Sequence, residues 1–123
     1  MKFRIYYDDT DAGGIVYHAN YIKFCERARS EFFFQNNVNF DENHHFVVTE
    51  IFAKYIKSAF LGDIIDVKTK ITDIKKASLI LKQEIFKNDE KIFYADVKIA
   101  YLEYKKPKQI PQNWIDLIKK LNE

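Results

Sequence analysis

From Phe93 to Tyr101 the chain reads FYADVKIAY. Phe93, Ala95, Val97, Ile99 and Tyr101 fall on one side of an extended chain, and Tyr94, Asp96 and Lys98 on the other. Successive side chains of a strand point to opposite faces, so this period of two predicts a strand with one buried and one wetter face. Working back, Leu79, Leu81 and Ile85 alternate with Lys82 and Glu84, and Ile65, Val67, Thr69 and Ile71 alternate with Asp66, Lys68 and Lys70. The long β-branched and aromatic run FVVTEIFAKYIKSAF (46–60), broken by Gly62, predicts a fourth strand. One-sided alternation repeated over neighbouring segments belongs to an antiparallel sheet.

Upstream the period changes. Tyr21, Cys25, Ala28 and Phe32 recur at i, i+4, i+7 and i+11, one apolar stripe on a helix of about four turns. Asn20 suits its N-cap and the Asn36-Asn37 pair its end. A loop carrying His44 and His45 follows. KFRIYY (2–7) reads as a first strand, and Pro111 opens a short terminal helix with Trp114, Leu117, Ile118 and Leu121 on one side. The expected architecture is α+β: one long helix against a five-stranded antiparallel sheet, with a short C-terminal helix. One helix is a thin cover for five strands, so a second subunit is expected to share the apolar surface.

The length of 123 residues supports one domain, 1–123, with no linker or repeat to divide it. Hydrophobic residues at 47% against 31% charged indicate a globular chain rather than a disordered one. A net charge of +2 is too small for a dedicated nucleic-acid binder, and the short runs at Lys75-Lys76 and 104–108 read as a solvated face. The single cysteine, Cys25, excludes an internal disulfide and a Cys-rich zinc site. No apolar run approaches the roughly 18 residues of a membrane span, and Asp8, Asp9 and Asp11 interrupt any signal-peptide core. The expected location is the cytoplasm.

The stretch YDDTDAGGIVYHANY (7–21) concentrates three carboxylates, a histidine and two glycines immediately before the helix. A helix N-terminus offers unpaired N–H groups and a partial positive charge, which suit an anion or a developing oxyanion. An Asp beside it can act as nucleophile or general base on a carbonyl held there, or simply make a turn. Asp9-x-Asp11 begins like a calcium loop, but the fifth position is Gly13 and the twelfth is Asn20, which excludes it. His44-His45 lacks the further ligands a transition metal needs. His18 and Cys25 stand about 10 Å apart along one helix, too far for a base and nucleophile pair, and Cys25 belongs to the apolar stripe.

The pattern D-T-D-x-x-G-x-V-Y-H-x-N-Y, carried by Asp9, Thr10, Asp11, Gly14, Val16, Tyr17, His18, Asn20 and Tyr21, resembles the hotdog-fold acyl-CoA thioesterases. The similarity is closest to the 4-hydroxybenzoyl-CoA thioesterase and YbgC-type branch. It continues through Tyr21–Arg29 and the strand block around Ala53, Tyr55 and Asp63. This chain has Ser58 where that family often has Pro, and Ala12 where it commonly has Pro.

The resemblance implies a hotdog fold and hydrolysis of an acyl thioester, with coenzyme A or an acyl carrier protein as donor and no metal or redox cofactor. Asp11 matches the family's catalytic carboxylate, which attacks the thioester carbonyl or activates water. His18 sits where a backbone N–H polarises the thioester oxygen, and its imidazole is available besides. Tyr7, Gly14, Val16 and Tyr17 are the expected substrate-binding residues, Gly14 at a close backbone approach. The resemblance also implies a homodimer or homotetramer joined through sheet edges. A non-catalytic acyl-CoA or acyl-carrier binding protein is the competing expectation, because fold does not fix function.

Overall fold

The computed structural model describes residues 1–122. In chain order it contains β1 (Lys2–Arg4), α1 (His18–Gln35), β2 (His44–Tyr55), β3 (Ile64–Ile74), β4 (Ser78–Lys87), β5 (Glu90–Glu103), β6 (Lys106–Pro107) and α2 (Gln112–Ile118). A single 3₁₀ turn, Tyr7–Asp9, follows β1, and another, Lys119–Asn122, follows α2. The sheet is antiparallel in the order β1-β3-β4-β5-β2, with β6 added beside β5. The sheet thus has six strands rather than five, because the chain turns back at Tyr104-Lys105 and pairs Lys106 with Glu103.

The alternation in the sequence is the burial pattern of the strands. Ile65, Val67, Leu79, Leu81, Ile85, Phe93, Ala95, Val97, Ile99 and Tyr101 are all buried on the inner face. Helix α1 lies on that face through Tyr21, Phe24, Cys25, Ala28, Arg29 and Phe33. Its end is a Schellman arrangement: Val38 N–H donates to Phe33 C=O at 2.9 Å and Asn37 N–H to Phe34 C=O at 3.1 Å. Asn37 takes φ of 63°, a left-handed conformation that Asn tolerates better than most residues. The Asn36-Asn37 pair therefore ends the helix as expected. The β4–β5 hairpin closes through Asn88 and Asp89, both with positive φ, as a two-residue turn matched to strand twist requires.

Three boundaries differ from the expectation. β1 stops at Arg4 because the chain bends into the 3₁₀ turn, with Ile5 N–H donating to Asp63 C=O at 2.8 Å. α1 begins at His18, so Asn20 lies inside the first turn and Tyr17 is the N-cap residue. The Asn20 amide instead donates to Asp9 C=O at 2.9 Å, tying the helix to the preceding loop. β2 begins at His44, so His44 and His45 belong to a strand rather than a loop, and His44 lies between Asp41 (3.0 Å) and Glu103 (3.4 Å). Trp114 and Ile118 of α2 cover the far end of the sheet, where Trp114 meets Phe40, Phe46 and Tyr101 edge-on or tilted.

Candidate active site at the start of the long helix

The loop between the 3₁₀ turn and α1 is pinned at both ends. Asp9 is 8% exposed, and its Oδ2 accepts the Tyr6 N–H at 2.8 Å. Its carbonyl accepts both the Tyr17 N–H at 3.0 Å and the Asn20 amide. Downstream, Val16 N–H donates to Ala59 C=O at 2.9 Å, and the buried Ala59 N–H donates to the Tyr21 hydroxyl at 2.9 Å. The intervening residues close a turn: Gly14 N–H reaches Asp11 C=O at 3.0 Å and Asp11 N–H reaches Ile15 C=O at 2.9 Å. Gly14 has φ of +79°, which only glycine adopts freely, and a Cβ there would meet nothing within 4 Å. Backbone conformation, not close approach within this chain, is therefore what Gly14 supplies.

Held this way, Asp11 is exposed. One oxygen accepts the Gly13 N–H at 2.8 Å, and the other takes no hydrogen bond among the described residues. Asp11 and His18 line one cleft of about 400 Å³ with Val16, Tyr21 and Tyr55, closed by Ile15 and the segment Ile56–Ser58. Helix α1 starts at this cleft with no side-chain cap, so its first N–H groups remain available to a ligand. The Tyr55 hydroxyl donates to His18 C=O at 2.7 Å, which fixes the first turn against the end of β2. Tyr21 and Tyr55 line the cleft as aromatic walls and are backed by the buried Phe93, on which Tyr21 stacks at 5.4 Å. Burial raises the Tyr21 hydroxyl above its ordinary pKa, and Tyr55 is raised for the same reason. Both phenols are neutral donors or acceptors at neutral pH.

Of the residues singled out in the sequence, the cleft brings together Asp11, Val16 and His18. Tyr7 is 82% exposed and lies outside it, as do Gly14 and Tyr17, although the Tyr17 ring packs against His18 at 4.5 Å. Sequence reasoning missed Tyr21 and Tyr55 as cleft residues. Both sat in regular periodic segments, one helical and one extended, where an aromatic reads as core. The lysine runs lie elsewhere. Lys75-Lys76 and Lys105-Lys106 flank the end of the sheet where His44 pairs with Glu103, whereas the cleft lies where Tyr55 pairs with Phe93. Ten residues of β5 separate the two ends, roughly 33 Å. Lys57 is the lysine at the cleft, with Nζ 3.0 Å from Glu90.

The remaining features compete poorly. A hollow of similar size on the outer sheet face, lined by Glu50, Phe52, Ile80, Asp96 and Lys98, has no uncapped helix end beside it. Cys25 is buried and its thiol is pushed up to about 12 by desolvation, so it is an inert packing group. No group of three His, Cys, Asp or Glu side chains among the described residues is placed to hold a metal ion. No helix among them is long and apolar enough to cross a membrane.

A long helix cradled by a curved antiparallel sheet, with a carboxylate loop at the helix N-terminus, defines the hotdog-fold class. The model of the thioesterase superfamily matches residues 13–93. The acyl-CoA thioesterase YbgC of Helicobacter pylori is 49% identical over 88 residues, 70% of this chain and 65% of that protein. The acyl-CoA thioesterase YbgC of Haemophilus influenzae is 37% identical over 112 residues, 87% of this chain and 82% of that protein. Among solved structures, a probable thioesterase from Bartonella henselae superposes with a TM-score of 0.83 at 30% identity, covering 90% of this chain and 97% of that one. This chain belongs to the thioesterase superfamily. The match spans just under two thirds of the length of the Helicobacter relative.

Proposed function

We propose that this protein is an acyl-CoA thioesterase, hydrolysing an acyl-CoA to a free carboxylic acid and coenzyme A. The observation that carries this reading is the placement of the Asp11 carboxylate and the uncapped start of α1 in one cleft. The thioester carbonyl accepts hydrogen bonds from the first N–H groups of the helix, at His18 and Ala19, which stabilise negative charge as the carbonyl oxygen becomes an oxyanion. Asp11 then acts in one of two ways. It attacks the carbonyl carbon, expelling the thiolate and leaving an anhydride for water to cleave, or it takes a proton from the water that attacks. His18 contributes its backbone donor, with its ring at the wall of the cleft. The apolar walls from Val16, Tyr21 and Tyr55 suit the acyl group, and Lys57 at the rim suits the phosphate-bearing end.

We also assign the working form to a homodimer or larger closed assembly. Among the described residues β2 has β5 as its one neighbouring strand, and beyond the short bridge of His44 to Asp41 its other edge is unpaired, with Val48, Ile51 and Phe52 exposed along it. Light scattering at micromolar concentration tests this, and a monomer would defeat it.

The catalytic assignment is tested by steady-state kinetics on acyl-CoA substrates of varied chain length. Asp11→Asn removes charge and basicity at nearly constant size, so kcat is expected to fall about 100- to 10,000-fold with substrate binding retained. His18→Ala keeps the backbone donor and is expected to lose far less. Asp8, exposed and outside the cleft, is the control; Asp9 is unsuitable because its carboxylate holds the loop. Near-normal turnover by Asp11→Asn would remove Asp11 from the catalytic assignment, and no turnover of any of these thioesters by the unaltered protein would leave acyl-CoA binding without hydrolysis as the better account.

A further inference from the structure

Tyr21 is 3% exposed, yet it lines the cleft that holds Asp11 and His18. Its hydroxyl oxygen accepts the buried Ala59 N–H at 2.9 Å, and among the described residues its own O–H donates to nothing. A phenol carries one donor proton besides its acceptor lone pairs, so the Ala59 bond leaves that proton unspent. A buried donor without an acceptor is costly, and a ligand that supplies one removes the cost. Tyr21 borders the cleft whereas Ala59 does not, so the proton, turned away from the Ala59 N–H, faces the cleft. The neighbouring side chains differ in this respect. The Tyr55 hydroxyl is spent on His18 C=O, and Lys57 pairs with Glu90 at 3.0 Å. Ser58 is half-buried, so water can serve its hydroxyl, and an ionised Asp11 only accepts.

We infer that Tyr21 is a further catalytic residue of the proposed hydrolysis, its O–H donating to the thioester carbonyl oxygen beside the first N–H groups of α1. The inference rests on the acyl-CoA reading above. Tyr21 stands three residues after His18, so the two share one helix face with Cβ atoms about 5–6 Å apart. The uncapped helix end and the phenol therefore border the same space. An unsubstituted acyl chain offers no acceptor and sulfur is a weak one, which leaves the carbonyl oxygen as the group a donor there can serve. As that oxygen gains negative charge it takes more than one donor, and a donor already in place needs no reorganisation at that moment. Stacking on Phe93 and the edge of Tyr55 hold the ring and so fix its aim. Burial raises the pKa of the phenol, the Ala59 N–H opposes this, and the charges of Asp63 and Asp11 outdo that of Lys87. The group therefore donates a hydrogen bond and keeps its proton.

The probe is a ketone analogue of the acyl-CoA that the unaltered protein hydrolyses fastest, with a methylene between an isotope-labelled carbonyl and the sulfur so that it is not cleaved. In difference infrared spectra its bound carbonyl stretch is expected to move to higher frequency in Tyr21→Phe, which lacks the donor. The same variant is expected to lower kcat about 100- to 1,000-fold, the scale of one lost oxyanion donor, with KM little changed. Because Tyr21→Phe also strips the Ala59 N–H of its acceptor, difluorotyrosine in place of Tyr21 separates the two roles and serves where Tyr21→Phe fails to fold. Its more acidic phenol keeps the oxygen that accepts from Ala59 and loses the proton as pH rises. Over the range in which its phenolate absorbance appears, kcat is expected to fall while urea stability holds and the kcat of the unaltered protein stays level. An unmoved stretch in a folded Tyr21→Phe, or parallel pH profiles for the difluorotyrosine and unaltered proteins, would overturn the assignment and leave the thioesterase reading intact. Absence of turnover on every thioester would instead remove that reading, and this inference with it.

Discussion

Gln83 is fully buried in β4, and three hydrogen bonds make it the link between helix and sheet. Its Oε1 accepts from Arg29, and its Nε2 donates to Cys25 C=O at 2.8 Å and to Thr69 Oγ1 at 3.1 Å. Gln83→Leu keeps comparable volume and removes all three. Losing the bond to the charged guanidinium costs about 1.5–3 kcal/mol, and each neutral bond adds about 1 kcal/mol, partly offset by the more apolar side chain. A net loss of about 3 kcal/mol is expected. With urea slopes of about 1–3 kcal/mol/M, the unfolding midpoint falls by about 1–3 M at fixed protein concentration. Much of that loss is the penalty of stranding Arg29. Arg29→Met combined with Gln83→Leu replaces the cation and its partner by apolar groups, so the double variant is expected to be more stable than Gln83→Leu alone. Urea unfolding of the two single variants and the double variant decides it. A double variant that loses the sum of the two single effects would refute the claim that an unpaired guanidinium sets the cost.

Tyr21→Phe leaves the ring stacked on Phe93 but strips the acceptor from the buried Ala59 N–H, so a loss of about 1–3 kcal/mol is expected in urea unfolding; an unchanged midpoint would contradict the pin. Cys25 is expected to resist a thiol reagent at pH 8 in the native protein and to react on unfolding, because burial and a thiol pKa of about 12 remove both access and thiolate; rapid native labelling would count against the packing role. Burial pushes the Asp63 carboxyl up, but Lys87 at 2.7 Å and the Phe60 N–H more than offset it, so its pKa lies below the ordinary carboxylate value. Its contribution to stability is therefore complete above about pH 4 and is lost as acid protonates it below that. Unfolding titrations of Asp63→Asn are expected to show a smaller acid-induced loss than the unaltered chain, and parallel curves would remove the assignment.

The sheet and the long helix were legible because each burial face has a simple period. Alternation in 65–71, 79–85 and 93–101 became β3, β4 and β5 with the named apolar residues inside, and of the stripe Tyr21, Cys25, Ala28 and Phe32 the first three lie on the buried face of α1, where Phe33 rather than the half-buried Phe32 completes it. What escaped were features set by non-local partners. Gln83 sits at an inward position of β4 and reads as a violation of the apolar face until Arg29, 54 residues away in sequence, is placed against it. Nothing local in the sequence marks Arg29 as buried. The start of α1 escaped for a related reason: Asn20 is a good capping residue, but Asp9 C=O captured its amide, and the helix gained two residues. Asp11 was legible as a member of a motif, whereas its cleft partners Tyr21 and Tyr55 were hidden inside regular elements.

The two aspartates of the loop show how one local sequence separates a buried carboxylate from an exposed one. Asp9 and Asp11 are two residues apart with nearly the same neighbours, yet Asp9 is buried on a backbone N–H and Asp11 is exposed. The difference comes from where the chain turns. The 3₁₀ turn rotates Asp9 back onto Tyr6, and its carbonyl then draws in Tyr17 and Asn20, which sets the direction of α1. Everything between those anchors must fit a short bridge, closed by the positive φ of Gly14, and Asp11 is what the bridge leaves pointing outward. Its single bond to the Gly13 N–H limits its rotation without satisfying both oxygens. Ala12 gives this bridge more freedom than the fixed φ of a proline would. Ala12→Pro should therefore stiffen the loop by reducing unfolded-state entropy, provided the prolyl φ fits the turn, and stabilise the chain by about 0.4–1 kcal/mol. Residue 12 donates no backbone hydrogen bond among the described residues, so proline there removes none. If loop freedom limits how often Asp11 meets a thioester carbonyl, kcat rises with that stabilisation. If Asp11 must swing between attack and release, kcat falls while stability rises. Stability and kcat measured on the same Ala12→Pro protein separate the two, and a destabilised variant would refute the turn geometry from which both outcomes follow.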